Sequence, residues 1–72
     1  MKVSDIYECG NVWADSKVTV NDEQLTTIYD GEFQNIPEEV KNKDVDFWTI
    51  VDMKKRKDIE IKIATKIFVA LK

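Results

Sequence analysis

The chain has no histidine and only one cysteine, Cys9, among its 72 residues. Histidine is the commonest general base and metal ligand in proteins, and a structural zinc site requires about four ligands. A single thiol cannot close an intramolecular disulfide, and it fits a reducing compartment. We therefore expect no metal, no cofactor, no catalytic residues and no enzymatic activity, because the chain offers no nucleophile–base pair.

Long apolar runs are also lacking. No segment approaches the roughly 18 apolar residues of a membrane span. The N-terminal sequence MKVSDIYECG has one lysine and no apolar run, which differs from a signal peptide. We expect a protein that does not contact the membrane and is located in the cytoplasm. One proline and two glycines leave no low-complexity segment, and residues 1–72 are expected to form a single small domain.

Charge is unevenly distributed along the chain, although the net charge is only -3. Residues 1–53 contain 12 acidic and 4 basic side chains, whereas residues 54–72 contain 2 acidic and 7 basic ones. Two interpretations follow from this pattern. Either oppositely charged elements pair within the fold, or an acidic surface meets a basic partner.

The first half of the chain predicts a short helix followed by a hairpin. SDIYECG has a capping serine, an acidic first turn and a glycine stop at Gly10, and it should direct Val3, Ile6 and the small thiol of Cys9 toward the core. SKVTV and LTTIYDGEF are β-branched and flank the polar turn NDEQ. They predict strands at 17–20 and 25–30, with Gly31 as a bulge or strand end.

A helical turn and a second hairpin follow. NIPEEVKNK should form one helical turn that directs Ile36 and Val40 to the core. Strands at 45–52 and 58–64 should be joined by the five-residue loop MKKRK. The odd-numbered apolar residues of both strands would then share one face, so that paired residue numbers have an even sum.

The tail TKIFVALK fits either a strand or a helix, and its β-branched residues favour a strand. We expect residues 65–72 to be an apolar C-terminal extension of the last strand. The predicted fold is therefore α+β, with an antiparallel sheet of four or five strands, built from two hairpins, and a short N-terminal helix.

Trp48 and Ile50 are the main candidates for a binding site, because this register places them on the face opposite the core. The tail or the IPEEV turn could cover them, or a protein partner could. Tryptophan is enriched in binding hot spots, and an acidic rim around an apolar centre fits the anatomy of interfaces. The predicted partner-binding residues are Trp48, Ile50, Asp44, Asp46, Asp52 and Glu60.

Two alternative surfaces arise from the same half of the chain. A basic loop formed by Lys54, Lys55, Arg56 and Lys57 could bind nucleic acid weakly, although no aromatic side chain is interleaved with it, so direct nucleic-acid binding is disfavoured. The apolar tail could instead add to the sheet edge of a neighbour, giving a self-associating structural module or a homodimer. The predicted self-association residues are Ile67, Val69 and Leu71.

The order of the segments DSKVTVND, TIYDGEFQNIPEEVKNKDV and IEIKI resembles small uncharacterised accessory proteins of phages, prophages and conjugative elements of Gram-positive bacteria. The resemblance covers about residues 3–63, and Phe33 and the tail depart from it. It implies an anti-defence protein, including the anti-CRISPR type, that acts in the bacterial cytoplasm. Such a protein would bind and occlude a host protein, for example a nucleic-acid-binding defence effector.

Overall fold

The computed structural model describes residues 1–9, 11–55 and 61–72. They form a small α+β fold, which confirms the predicted class. Its elements are a 3-10 helix at Val3–Glu8, strand β1 at Val12–Asn21, β2 at Thr27–Glu32, a 3-10 turn at Phe33–Asn35, helix α1 at Glu38–Lys41, β3 at Val45–Lys55 and β4 at Lys62–Leu71. None of the described helical segments has the length and apolar character needed to cross a membrane.

The four strands form one mixed sheet in the order β2-β1-β4-β3. Both predicted hairpins are present, because β1 pairs antiparallel with β2 and β3 pairs antiparallel with β4. The two hairpins meet along β1 and β4, which are parallel. The expectation of a purely antiparallel sheet is therefore wrong: side-chain alternation predicts where strands occur but does not specify which strands become neighbours.

Strand β4 lies in the interior of the sheet. The tail is a strand, as its β-branched residues favoured, and it pairs with β1 on one side and with β3 on the other. Residues 65–72, which the sequence suggested as an extension beyond the hairpin, instead form most of this interior strand. Ile67, Val69 and Leu71 of this strand are buried on the core face of the sheet, which accounts for the alternating apolar residues of the tail.

The core lies on one face of the sheet, under the three helical segments. Val18, Val20, Ile67 and Val69 are completely buried at its centre. The helical segments contribute Val3, Ile6, Phe33, Ile36 and Val40. The predicted inward direction of the residues in the helical segments is thus confirmed, except that Cys9 is exposed. Gly10, the predicted stop of the first helix, lies outside the described residues.

The parallel pairing of β1 and β4 is interrupted between Val12 and Lys17. Ser16 connects the two strands at this irregularity. Its buried hydroxyl accepts a hydrogen bond from the backbone N–H of Trp13 (2.9 Å) and donates one to the carbonyl of Ala64 (2.5 Å). The serine thus satisfies backbone groups that the interrupted ladder would leave without partners.

Gly31 lies within β2 opposite Val18, so its prediction as a bulge or strand end is wrong. The irregularity in this hairpin is at Val20 and Asn21 instead. A Cβ atom at Gly31 would lie only 2.9 Å from the hydroxyl oxygen of Tyr29. The glycine therefore leaves room for the tyrosine ring, whose hydroxyl donates a hydrogen bond to the carbonyl of Glu32. Burial raises the pKa of Tyr29, and the charges of Glu32 and Asp30 raise it further.

The turn between β1 and β2 contains an unusual leucine. Leu25 has a φ of 65°, and its side chain is 77% exposed. The turn is held by the carboxylate of Asp22, which accepts hydrogen bonds from the backbone N–H groups of Gln24 and Thr26, each at 2.9 Å. A left-handed backbone is unfavourable for any residue with a Cβ atom, and little packing compensates for it here.

We predict that Leu25→Gly stabilises the protein. Glycine adopts a positive φ without steric strain, and the leucine loses little contact because it is exposed. The expected increase in the free energy of unfolding is about 1 kcal/mol, measured by urea denaturation. Leu25→Ala is the matched control, because alanine removes the side chain but retains the strain. If both variants change stability equally, backbone strain is not the cause.

Candidate functional site

Trp48 and Ile50 lie on the core side of the sheet. Trp48 pairs with Val69, and Ile50 pairs with Ile67. Both side chains are partly buried against the hydrophobic core. Paired residue numbers sum to 117 along most of this hairpin, whereas the sequence predicted an even sum. A slip of one residue exchanges the two faces of a strand, so the expectation that Trp48 and Ile50 face away from the core is wrong.

The register error has a specific origin. The prediction paired β3 with the isoleucines of segment 58–64 through a five-residue loop. In the structure, Lys55 pairs with Lys62, so six residues connect the strands, and the partners of β3 are mainly residues of the tail. Residues 56–60, including Ile59, lie outside the described part of the chain.

The opposite side of the sheet, here called the open face, carries three rows of side chains that run across all four strands. Paired residues share a face, and the strand pairing therefore defines each row. The first row is Glu32, Lys17, Lys66 and Asp52; the second is Asp30, Thr19, Phe68 and Thr49; the third is Thr27, Asn21, Ala70 and Phe47.

The β1–β2 half of the open face is polar and makes its own contacts. Lys17 Nζ lies 3.9 Å from Glu32 Oε2. The hydroxyl of Thr19 donates a hydrogen bond to Asp30 (3.1 Å), and that of Thr27 donates one to Asn21 (2.7 Å). These groups already have partners within the chain, so this half of the face offers little unsatisfied chemistry.

On the β3–β4 half of the open face, the second and third rows are mainly apolar. The ring centroids of Phe47 and Phe68 lie 5.9 Å apart with an interplanar angle of 44°. Phe47 is 52% exposed, whereas Ala70 beside it is 7% exposed. Phe47, Phe68, Ala70 and Thr49 are called the aromatic patch below. Tilted rings at this distance attract one another, and together they present an apolar surface to solvent.

The sequence contained one signal for this patch. In the tail, Ile67, Val69 and Leu71 alternate toward the core, so Phe68 between them must point to the other side. The sequence prediction singled out Ile67, Val69 and Leu71 in the tail and therefore missed Phe68. Phe47 and Trp48 likewise point to opposite sides of β3. Because both sides of this strand carry apolar residues, only the register of its pairing with β4 decides which side faces the core.

The acidic residues of the predicted rim that the structure describes lie in different environments. Asp44 forms an ion pair with Lys2 (3.0 Å), and the hydrogen bond and charge of Lys2 lower the pKa of Asp44. Asp46 is exposed at an irregularity between Val45 and Phe47. Asp52 lies on the open face opposite Lys66. Glu60 is outside the described residues. Of the three rim residues that the structure does describe, Asp46 and Asp52 lie next to the aromatic patch along β3.

The two alternative surfaces are also placed by the structure. Lys54 and Lys55 are exposed at the end of β3, and Lys55 pairs with Lys62; Arg56 and Lys57 lie outside the described residues. The proposed self-association residues Ile67, Val69 and Leu71 are buried. Because β4 has a neighbouring strand on each side, it has no free edge to add to another sheet, which corrects that expectation.

Depressions also occur elsewhere on the described part of the surface, and two of them are lined in part by residues of the helical segments. The larger, about 680 Å³, lies between the β1–β2 turn and α1, and its lining includes Asp22, Ile28, Glu39 and Leu71. The smaller, about 370 Å³, lies beside the rings of Tyr7 and Phe33, whose centroids are 5.7 Å apart. Across residues 1–9, 11–55 and 61–72, no three acidic or cysteine side chains are grouped closely enough to hold a metal ion.

Comparison of the chain with protein-family models, with curated proteins and with solved structures finds no match. The surface itself therefore provides the basis for assigning a function.

Proposed function

We propose that this protein is a non-enzymatic interaction protein that binds another protein through the aromatic patch. The observation that carries the proposal is the half-exposed Phe47 ring held against Phe68 on the open face. Exposing a phenylalanine on a folded domain gives up part of the free energy of burying it. A partner that covers the patch would recover that free energy.

The chemistry of the patch favours a protein partner over a small ligand. Small ligands bind in concave sites that enclose most of their surface, whereas the aromatic patch lies on the face of a sheet. Lys66 and Asp52 lie beside it and carry opposite charges. An apolar centre next to charged groups is the usual anatomy of a protein–protein interface.

The proposed partner is a host protein, and the proposed mode of action is occlusion. The resemblance to accessory proteins of phages and mobile elements supports a bacterial host and a defence protein as the target. In this proposal, the apolar centre predicted at Trp48 and Ile50 is replaced by a centre at Phe47 and Phe68, with Asp46 and Asp52 as the acidic neighbours. Binding alone would inhibit the target, with no reaction catalysed.

Capture from a host lysate tests the patch directly. The immobilised chain is compared with the double variant Phe47→Thr, Phe68→Thr, in which a β-branched residue preserves the strand propensity. We expect the double variant to lose at least about tenfold in capture of any specific partner, as is typical for interface hot spots. The partner identified by mass spectrometry is then purified, and its affinity is measured with the same variants.

Leu25→Asn is the matched control for this experiment. It removes another exposed apolar side chain, remote in sequence from the patch, and asparagine tolerates the positive φ at that position. The control should capture the partner as well as the unchanged chain does. Equal capture by the double variant and the unchanged chain, with both folded, would place the interface elsewhere.

A second candidate function is weak binding to nucleic acid. The observation that favours it is the pairing of Lys55 with Lys62, which brings another cation to the end of the sheet where Lys54 is exposed. Contacts of this kind release counterions, so the logarithm of the binding constant should fall linearly with the logarithm of the salt concentration. The variant Lys54→Gln, Lys62→Gln should reduce that slope by about two, measured by fluorescence anisotropy with a labelled duplex.

A further inference from the structure

The outer edge of β3 is the longest edge of the sheet. β3 has 11 residues and no proline or glycine, whereas the opposite edge strand, β2, has 6 residues and contains Gly31 between two acids. The start of the β3 edge is closed, because Val45 donates a backbone hydrogen bond to the carbonyl of Met1 (2.8 Å). Beyond that point, no strand among the described residues pairs with the outer side of β3. An edge of this kind is a template for another strand.

The charge along this edge changes from negative at the beginning of β3 to positive at its end. Asp46 is exposed near the beginning of β3, and Lys54 and Lys55 are exposed at its end. If two copies of β3 pair antiparallel, the acidic beginning of each lies opposite the basic end of the other. Parallel pairing would place like charges together, which is unfavourable. The strand is therefore complementary to itself in the antiparallel orientation only.

We propose that the protein forms a homodimer in which β3 pairs antiparallel with β3 of a second copy. This proposal does not rest on the proposed function. It differs from the predicted association through the tail, because β4 is interior and β3 provides the free edge. The interface is the same surface on both copies, as two-fold symmetry requires.

The pairing of β3 with β4 shifts at three points, and the shift between Ile50 and Asp52 selects the register of the dimer. Phe47 and Thr49 lie on the open face before it, and Asp52 lies on that face after it, because the pairing with β4 shifts between Ile50 and Asp52. Opposed residue numbers must therefore have an odd sum if open-face residues are to meet open-face residues. A sum of 101 also places Asp46 opposite Lys55, and it pairs Phe47 with Lys54, Trp48 with Met53, and Thr49 with Asp52.

The register fixes how the two molecules are oriented. Because open-face residues meet open-face residues, the two-fold axis runs perpendicular to the sheet. The two four-stranded sheets become one continuous sheet, and both aromatic patches lie on the same side of it. A dimer of this kind would present two copies of the patch to a single partner surface.

Sedimentation equilibrium of the full chain tests the dimer. We expect a concentration-dependent monomer–dimer equilibrium that weakens as salt rises, because exposed ion pairs are screened. Asp46→Lys should raise the dissociation constant by more than about tenfold, since it brings like charges together. The variant Lys54→Asp, Lys55→Asp should do the same. An equimolar mixture of the two variants should recover the dimer as a heterodimer, because the opposite charges meet again.

Glu23→Lys is the matched control. It makes the same charge change in the exposed β1–β2 turn and should leave the dimer intact. Circular dichroism verifies that each variant is folded; the strand-end variant remains decisive if Asp46→Lys does not fold. The proposal is overturned if the unchanged chain is still monomeric at a concentration of about 1 mM, because any dissociation constant would then be weaker than about 1 mM. It is equally overturned if the mixture of variants stays monomeric, or if charge reversal leaves the dimer unchanged.

Discussion

Removal of residues 65–72 is expected to abolish folding. The truncated chain would lose Ile67, Val69 and Leu71 from the core and most of β4, the strand that lies between β1 and β3. Core truncations of single side chains already cost about 2–5 kcal/mol each. A domain of this size is stable by only roughly 4–11 kcal/mol in total. Circular dichroism and proton NMR dispersion should report an unfolded chain.

Removal of Lys72 alone is the control for this truncation. Lys72 is exposed and donates only one described backbone hydrogen bond, to the carbonyl of Asp44 (3.1 Å). The shorter deletion should leave a folded protein. A folded monomer after removal of residues 65–72 would show that the tail is an appendage, which is incompatible with β4 as an interior strand.

Trp48→Ala should destabilise the protein far more than Phe47→Ala does. Trp48 packs against the core opposite Val69, and deletion of its indole should cost about 2–3 kcal/mol, somewhat less than for a fully buried tryptophan. Phe47 is 52% exposed, and its deletion should cost below about 1 kcal/mol. Urea denaturation of both variants gives the comparison. The m value, which is the dependence of the free energy of unfolding on urea concentration, should be the same for both.

The two variants are controls for each other, because the residues are adjacent in one strand and both lose an aromatic ring. Their order of stability reports the register of the β3–β4 hairpin. The opposite order, with Phe47→Ala the more destabilised, would support the even-sum pairing predicted from the sequence. It would also move the aromatic patch to the core and return Trp48 to the surface as the candidate binding residue.

The two proposals make use of different parts of β3. The aromatic patch uses side chains on one face of the sheet, whereas the dimer uses the backbone edge and the charges at the two ends of the strand. Phe68 lies on the interior strand β4, away from that edge. The single variant Phe68→Thr should therefore weaken capture of a partner without changing the monomer–dimer equilibrium, so that each proposal can fail independently.

Local features of the fold were predictable from the sequence because they depend on neighbouring residues. A few neighbouring residues are enough to favour each local conformation. The signals are proline and acidic residues at the start of a helical turn, alternating β-branched residues in strands, and polar residues in turns. They indicated the N-terminal helical segment, the helical turn that buries Ile36 and Val40, and both hairpins. The strand at the C-terminus was also favoured over a helix for this reason.

The candidate site was less predictable, because each face of β3 carries apolar residues. In the predicted strand, Phe47 and Val51 lie on one side, and Trp48 and Ile50 lie on the other. From this pattern alone, either side could face the core. The choice depended on whether β3 pairs with segment 58–64 or with the tail. A one-residue change in that pairing exchanged the predicted binding residues for core residues and brought Phe47 to the surface.

The residue pattern alone was sufficient to predict a small α+β fold, the approximate positions of its strands, and the separation of acidic and basic charge along the chain. The strand order, the parallel contact of β1 with β4, and the face of the sheet that the described segments leave exposed became apparent only from the folded chain. The reason is physical: propensity and alternation are local, whereas strand order and register are fixed by burial of apolar surface summed over segments distant in sequence.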